Sequence, residues 1–274
     1  MRILFLVIIL LGGLEVQGQA LNIKFVSIPG GVYQVGSDES RSNKKRQVDV
    51  SSFDISMYEI TNAQFKTFID CTNYVTLAER LKNSQVFLPN IKEYHWVRDT
   101  TANWRYPQGL AFFCVDSMPN YPVTGIAMED AMAFCQWAKM RLPTLDEWEI
   151  ACRAGTSTTY YWGEDTSKIN NYANIWMGKS HSAFYQDDPY CFAAPVGSFM
   201  PNQWGLYDML GNVFELCSGS LPSDKKYTVH ARGGSWWCSL STCGYFNAIN
   251  IGGYHKKASF SNIGFRVVKE ISTP

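Results

Sequence analysis

The sequence predicts a single loop-rich domain in which short helices and short strands are mixed. Three observations predict it. The 274 residues are 46% hydrophobic and 15% aromatic, enough apolar material for a substantial core. No repeat of 20 to 50 residues and no low-complexity stretch divides the chain. Helical periodicity is confined to a few short segments before Gly155, after which Trp, Tyr, Phe, Gly and Asn dominate. A chain of that composition packs through loops and short strands around aromatic rings.

The elements follow in order. Residues 1–20 begin with Met-Arg, run apolar through ILFLVIILL and turn small and polar at GGLEVQGQA. That is the plan of a secretory signal peptide, too short in its apolar run to span a bilayer. Residues 21–274 are then one exported domain, with no membrane attachment after cleavage. The alternating run IKFVSIPGGVYQVGS breaks at Pro29-Gly30-Gly31 and predicts a hairpin. The polar stretch SDESRSNKKRQ predicts a solvated loop.

Thr61-x-x-Gln64 is a capping box that opens a helix with Phe65, Phe68 and Ile69 on one face. A second helix is predicted in MEDAMAFCQWAKM, with Met128, Met132, Cys135, Trp137 and Ala138 on the buried side. Leu142-Pro143 stops it, and Thr144-x-x-Glu147 caps a third helix through Trp148 and Cys152.

Composition excludes several function classes. Lys plus Arg and Asp plus Glu both number 24, so no net field draws the molecule to nucleic acid or an anionic membrane. The four histidines lack zinc spacing, and no Walker loop, dinucleotide fingerprint or Gly-x-Ser-x-Gly elbow is present.

Loop-rich folds often rely on disulfides or metal ions for rigidity. An exported chain with eight cysteines can form disulfides. Two oxygen-rich clusters also stand out: Asn174-Ile175 with Asp188 and Tyr190, and Asp208, Gly211, Val213 and Glu215 around a Gly-Asn turn. Hard oxygen donors of this mixture suit calcium rather than zinc, although Asx and Gly residues also serve simply as turns. Cys238 and Cys243 lie five apart behind Gly233-Gly234-Ser235. On spacing alone they read either as a small structural disulfide or as a reactive pair.

An ordered set of segments identifies the chain with a known family. It runs from Ile28-Pro29-Gly30-Gly31 through Tyr58-Glu59-Ile60-Thr61-Asn62, Arg141-Leu142-Pro143-Thr144, Asn174-Ile175-Trp176 and Gly205-Leu206-Tyr207-Asp208-Met209-Leu210-Gly211-Asn212. It ends with Arg232-Gly233-Gly234-Ser235-Trp236 and Gly264-Phe265-Arg266. This resembles the formylglycine-generating enzyme, or sulfatase-modifying factor, family over nearly the whole chain from about residue 24.

The resemblance implies an α+β domain with low regular secondary structure, related to the C-type lectin fold. It implies that Asn174, Ile175, Asp188 and Tyr190 hold one calcium ion, and Asp208, Gly211, Val213 and Glu215 a second. Cys238 and Cys243 match the family's reactive pair counting forward from Gly233 and backward from Gly264. They would bind copper(I) and, with O2, oxidise a cysteine in a peptide or unfolded protein, such as a sulfatase, to formylglycine. Two soft sulfur donors suit copper(I), and Ser235 would help orient substrate or oxygen.

Departures from the pattern point also to a second reading. The arginines of active members fall here on Tyr245, Asn247 and Ile251, their tyrosine on Thr242, their histidine on Ser239 and their tryptophan on Phe214. A non-catalytic exported scaffold or binding module, displaying Trp236, Trp237, Tyr245 and Tyr254, is the alternative. Cys135 and Cys152 match family disulfide positions whose partners here are Val267 and Ala248. Cys71 with Cys114, and Cys191 with Cys217, are the remaining candidate bridges.

Overall fold

The computed structural model of the chain describes residues 21–88, 95–178, 180–181, 189–225, 228–240, 243 and 245–269. The expected leader, Asp188 and Thr242 lie outside them.

Pro29 and Gly30 form a corner rather than the expected hairpin. β1 (Phe25–Ile28) runs antiparallel to β4 (Phe53–Ser56), and β2 (Gly31–Val35) to β3 (Arg46–Val50). Crowding explains the exchange of partners. A Cβ on Gly30 would lie 2.8 Å from Ser52 N and 3.1 Å from Val50 O, so only bare backbone lets the β3–β4 link cross there. The polar loop after β2 is not wholly solvated either. Asn43 is buried, its amide donating to Glu149 Oε2 at 2.7 Å and to Ile249 O at 2.9 Å.

The capping boxes fall where the sequence places them. α1 (Asn62–Thr72) starts with Gln64 N donating to Thr61 Oγ1 and Thr61 N to Gln64 Oε1. Phe65 and Phe68 enter the core, where Phe65 stacks on Phe134 and meets Phe265 edge-on. α2 (Leu77–Leu81) is short. α3 (Met128–Ala138) turns Cys135, Met128, Trp137 and Ala138 toward the core as expected, but not Met132. Met132 is 58% exposed, whereas Asp130 is buried and accepts from Ala127 N, Leu77 N and Tyr74 OH. The carboxylate therefore caps its own helix and ties it to α2. α4 (Leu145–Arg153) is capped by Thr144 and Glu147, with Trp148 and Cys152 wholly buried.

Beyond Arg153 the described residues hold a single turn of 3-10 helix, Ile169–Asn171, and short strands. β5 (Ser84–Val86) and β6 (Val97–Asp99) form a small ribbon. β7 (Met140–Arg141) and β12 (Val268–Lys269) complete a sheet ordered β1-β4-β12-β7. The other sheet, β10-β9-β8-β11, comprises β8 (Phe214–Cys217), β9 (Thr228–Arg232), β10 (Gly252–His255) and β11 (Ile263–Gly264). The expected α+β, loop-rich architecture is observed. No helix among the described residues is long and apolar enough to cross a membrane.

The proposed bridges between Cys71 and Cys114, and between Cys191 and Cys217, are not formed; all four remain thiols. The second pairing fails on burial, because Cys217 lies fully inside β8 while Cys191 is at the surface. Cys135 and Cys152 also remain thiols in the interior. Burial pushes the Cys152 and Cys217 thiols far up, which keeps them protonated and inert.

Candidate active site

The second sheet delivers the cysteines. β9 ends at Arg232, and the chain reverses through Gly233 (φ 94°) and Gly234 (φ 77°), conformations that side chains resist. Space demands glycine as well. A Cβ on Gly234 would lie 3.1 Å from Phe246 Cα and 3.3 Å from Cys238 Sγ, and one on Gly233 would lie 2.8 Å from Met209 O. The Gly-Gly turn thus lets the backbone approach the sulfur of Cys238.

Cys238 is fully buried and Cys243 half-buried; they are joined as a disulfide with Cα atoms 4.9 Å apart. Backbone bonds fix the first cysteine on both sides: Cys238 N donates to Ser235 O and Trp176 N to Cys238 O, each at 2.8 Å. Cys243 has a longer tie, its N–H reaching Ser239 O at 3.3 Å. Ser235 is fully buried, and its Oγ accepts from Asn262 Nδ2 at 2.9 Å and Trp237 N at 3.3 Å. Both lone pairs are thus engaged, leaving the hydroxyl proton as a donor.

An aromatic cluster adjoins this centre, tied to it by the bond from Trp176 N to Cys238 O. Phe87, Trp176, Trp236 and Trp237 form a small buried cluster with Trp96 and Phe192 packed on it. Trp236 and Trp237 are therefore interior, not displayed as the scaffold reading expects. His181 lies flat on Trp237, centroids 4.2 Å apart, with Nε2 2.7 Å from Trp237 O. A carbonyl only accepts, so Nε2 carries the proton. Sequence reasoning passed over His181 because its isolation along the chain hides this stacking.

Behind the turn lie two buried ion pairs. Arg232 bonds Glu149 Oε2 at 2.8 Å and the carbonyls of Ala248 and Ile249, holding the segment after Cys243. Burial would raise the Glu149 carboxyl, but Arg232, with help from Asn43 and Arg153, holds it below the usual range. Arg266 bonds both oxygens of Glu215, at 2.6 Å each, and the carbonyls of Ser56, Met57 and Tyr207.

The two oxygen clusters fare differently. Asn174 Nδ2 donates to Phe192 O at 2.9 Å, which brings Asn174 and Ile175 beside the segment that carries Tyr190. In the other cluster Glu215 is engaged by Arg266 and by Trp148 Nε1 at 2.6 Å. Asp208 accepts from Gly197 N through Oδ2, while its buried Oδ1 meets no N–H donor and its carboxyl is hydrogen-bonded to that of Glu59. Glu59, not singled out as a ligand in the sequence, is also buried with Oε2 unpartnered. Burial and the neighbouring Asp208 charge push Glu59 well above the usual carboxylate range; burial lifts Asp208 to about 7. Glu59 Oε2 and Asp208 Oδ1, buried without an N–H donor, are hard oxygens that fit a cation taking the place of the proton they share, beside Glu215.

The departures from the family pattern are built into the local structure. Ile251 is buried in the core, and Asn247 Oδ1 accepts from Ile249 N and Asn250 N as a turn. Phe214 meets Tyr245 and Tyr254 edge-on.

The model of the sulfatase-modifying factor enzyme 1-like domain matches residues 14–271. The chain is 34% identical to formylglycine-generating enzyme of Mus musculus over 277 residues, covering 89% of this chain and 74% of that one. It is 31% identical to inactive C-alpha-formylglycine-generating enzyme 2 of Bos taurus, over 80% of this chain and 78% of the relative. Among solved structures, PvdO from Pseudomonas aeruginosa superposes with a TM-score of 0.65 at 22% identity, covering 90% of this chain and 94% of that one, which attests the shared fold. With its cysteine pair behind the Gly-Gly-Ser turn and this match along most of its length, the chain belongs to the sulfatase-modifying factor family of formylglycine-generating enzymes.

Proposed function

We propose that the protein is an exported, copper-dependent oxidase of the formylglycine-generating type, acting on a cysteine in a peptide or unfolded protein. The observation that carries this reading is the unequal burial of two adjacent cysteines, one fixed inside the fold and one only partly buried. When reduced, they offer two soft donors that fit copper(I), which would supply one-electron chemistry toward O2. Cys238 keeps its position through its backbone bonds and the glycine turn. Cys243 is the sulfur open to a substrate thiol. Ser235 offers a buried hydroxyl proton in the same turn.

The overall reaction removes sulfur from the substrate carbon and leaves an aldehyde. One thiol, one O2 and two reducing thiols give formylglycine, hydrogen sulfide, one disulfide and water. Calcium would be structural, drawn to the Asp208 and Glu59 oxygens and to the Asn174, Ile175 and Tyr190 segment.

Anaerobic copper(I) titration of the reduced mature protein against a competing chelator tests the reading. One equivalent should bind to wild type and none to Cys238→Ala. Equal stoichiometry in both would end the copper assignment. A specific observation favours a second reading: an inactive relative matches at a similar identity, and the family's arginine positions have become Ile251 and Asn247. A non-catalytic binding module would bind no copper and would keep its partner in Cys238→Ala.

A further inference from the structure

We infer that the cysteine loop selects its polypeptide substrate by a bulky apolar side chain flanking the target cysteine, with Tyr245 and Leu240 as the residues that receive it. This rests on the proposed reaction at Cys243 and names the class of polypeptide taken there. Covalent reach dictates the occupant. A cysteine joined to Cys243 has its Cα about 5–6 Å from that of Cys243. Consecutive Cα atoms are only ~3.8 Å apart, so the residues flanking the target cysteine pack against those flanking Cys243.

The first observation is a loop without charge. From Gly233 to Tyr254 the sequence holds no Lys, Arg, Asp, Glu or His, so a charged flanking residue would meet no counter-ion on it. The three positions where the family pattern has arginine are filled differently here. Ile251 is buried, and Asn247 Oδ1 is committed to Ile249 N and Asn250 N. Tyr245, 44% exposed, is the most open of the three.

The second observation is apolar surface in solvent on both sides of the reactive cysteine. Leu240, three residues before Cys243, is 53% exposed, and Tyr245 lies two residues after it. Neither has its side chain folded into the interior, although the rest of the loop supplies buried Phe246, Ala248 and Ile251. Large apolar side chains left open beside a reaction centre are surface that a substrate side chain can cover.

The third observation is that the Tyr245 ring is held from behind. It meets Phe214 edge-on at 6.2 Å, Phe214 meets Tyr254 at 5.8 Å, and Tyr254 meets Phe260 at 5.7 Å. Phe214 is itself buried in β8. The Tyr245 carbonyl accepts from Asn247 N at 2.9 Å, which fixes the backbone as well. A ring seated in advance loses little conformational freedom when a second ring packs on it.

The test uses the full mature protein carrying Cys238→Ala, reduced, without copper or O2. The probes are acetyl-Phe-Cys-Phe-amide and acetyl-Gly-Cys-Gly-amide, each activated as its 2-pyridyl disulfide. The Cys243 thiolate attacks the peptide sulfur and forms a mixed disulfide, while pyridine-2-thione leaves with the electron pair and takes up a proton. Peptide mapping by mass spectrometry reads the labelling rate at Cys243, with Cys71, exposed on α1, as the reference thiol in the same molecule. Relative to Cys71, the Phe probe should label Cys243 about three- to tenfold faster than the Gly probe, the worth of an aromatic contact. Tyr245→Ser should lower that preference to less than about twofold, and Tyr245→Phe should restore it, because the ring and not the hydroxyl makes the contact. Cys238→Ser replaces Cys238→Ala should the latter fold poorly. Equal labelling by the two probes, a preference that survives Tyr245→Ser, or no labelling of Cys243 by either probe overturns the inference. Copper takes no part in this readout, so a failed copper titration leaves a measured preference standing, and equal labelling leaves the copper assignment standing.

Discussion

The chain up to Arg153 and the chain after it are held by different means. Before Arg153, capped helices carry their own backbone bonds, and their apolar faces meet around Phe65, Phe68 and Phe134. After Arg153, the strands are two to five residues long, and the loops are tied by single buried groups such as Arg232, Arg266 and Asn212. The difference teaches where damage spreads. A helix cap has neighbours that share its work, whereas a buried arginine that holds several carbonyls has no substitute.

Arg266→Met gives the largest expected effect. The side chain would fill much of the space, but Glu215 would keep a buried charge and the carbonyls of Ser56, Met57 and Tyr207 would lose their donor. Breaking one side of a buried pair costs about 3–5 kcal/mol, so urea denaturation should show a loss of that size or no folded protein. A loss below ~1 kcal/mol would mean that the loop-rich half is held by something other than its buried charges.

Much of this contrast was legible before the structure, and the part that was not has a physical reason. Thr61, Thr144 and their partners three residues on were readable because a capping box is local: donor, acceptor and spacing all lie in one turn. The cysteine pair was readable because an ordered motif frames it on both sides. Pairing across space was not readable. Nothing near Pro29 says that β1 will choose β4, nothing near Asn43 names Glu149 as its partner, and Met132 has a helical period that suits either face. Glu59 lay inside a quoted motif, yet only the fold brings it to Asp208. His181 carried no sequence signal that could have found it.

A smaller effect is expected at the glycine turn of the second half. Gly234→Ala places a methyl group where Phe246 Cα and Cys238 Sγ already crowd, at a positive φ. Backbone strain and overpacking together amount to about 2–4 kcal/mol. The disturbance should also loosen Cys238, seen as faster alkylation of its thiol by iodoacetamide after mild reduction, with Cys243 little changed. Equal acceleration at both cysteines would mean that the turn does not single out the first sulfur.

The smallest effect should come from the capped half. Thr144 is exposed, and its Oγ1 accepts one bond, from Glu147 N at 3.1 Å. Thr144→Ala removes that bond but leaves Glu147 donor-acceptor geometry largely intact, because the Glu147 carboxylate still accepts from Thr144 N and is paired with Arg141. The expected cost is about 1 kcal/mol, the usual worth of an N-cap, measurable as a shift of the urea midpoint with an unchanged slope. Since α4 also carries Glu149, the partner of Arg232, this variant asks whether a local loss reaches the distant loop. An unchanged slope confines it to the helix end. A reduced slope together with faster Cys243 alkylation would show that α4 and the cysteine loop unfold as one unit, and the division between the two halves would then lie elsewhere than at Arg153.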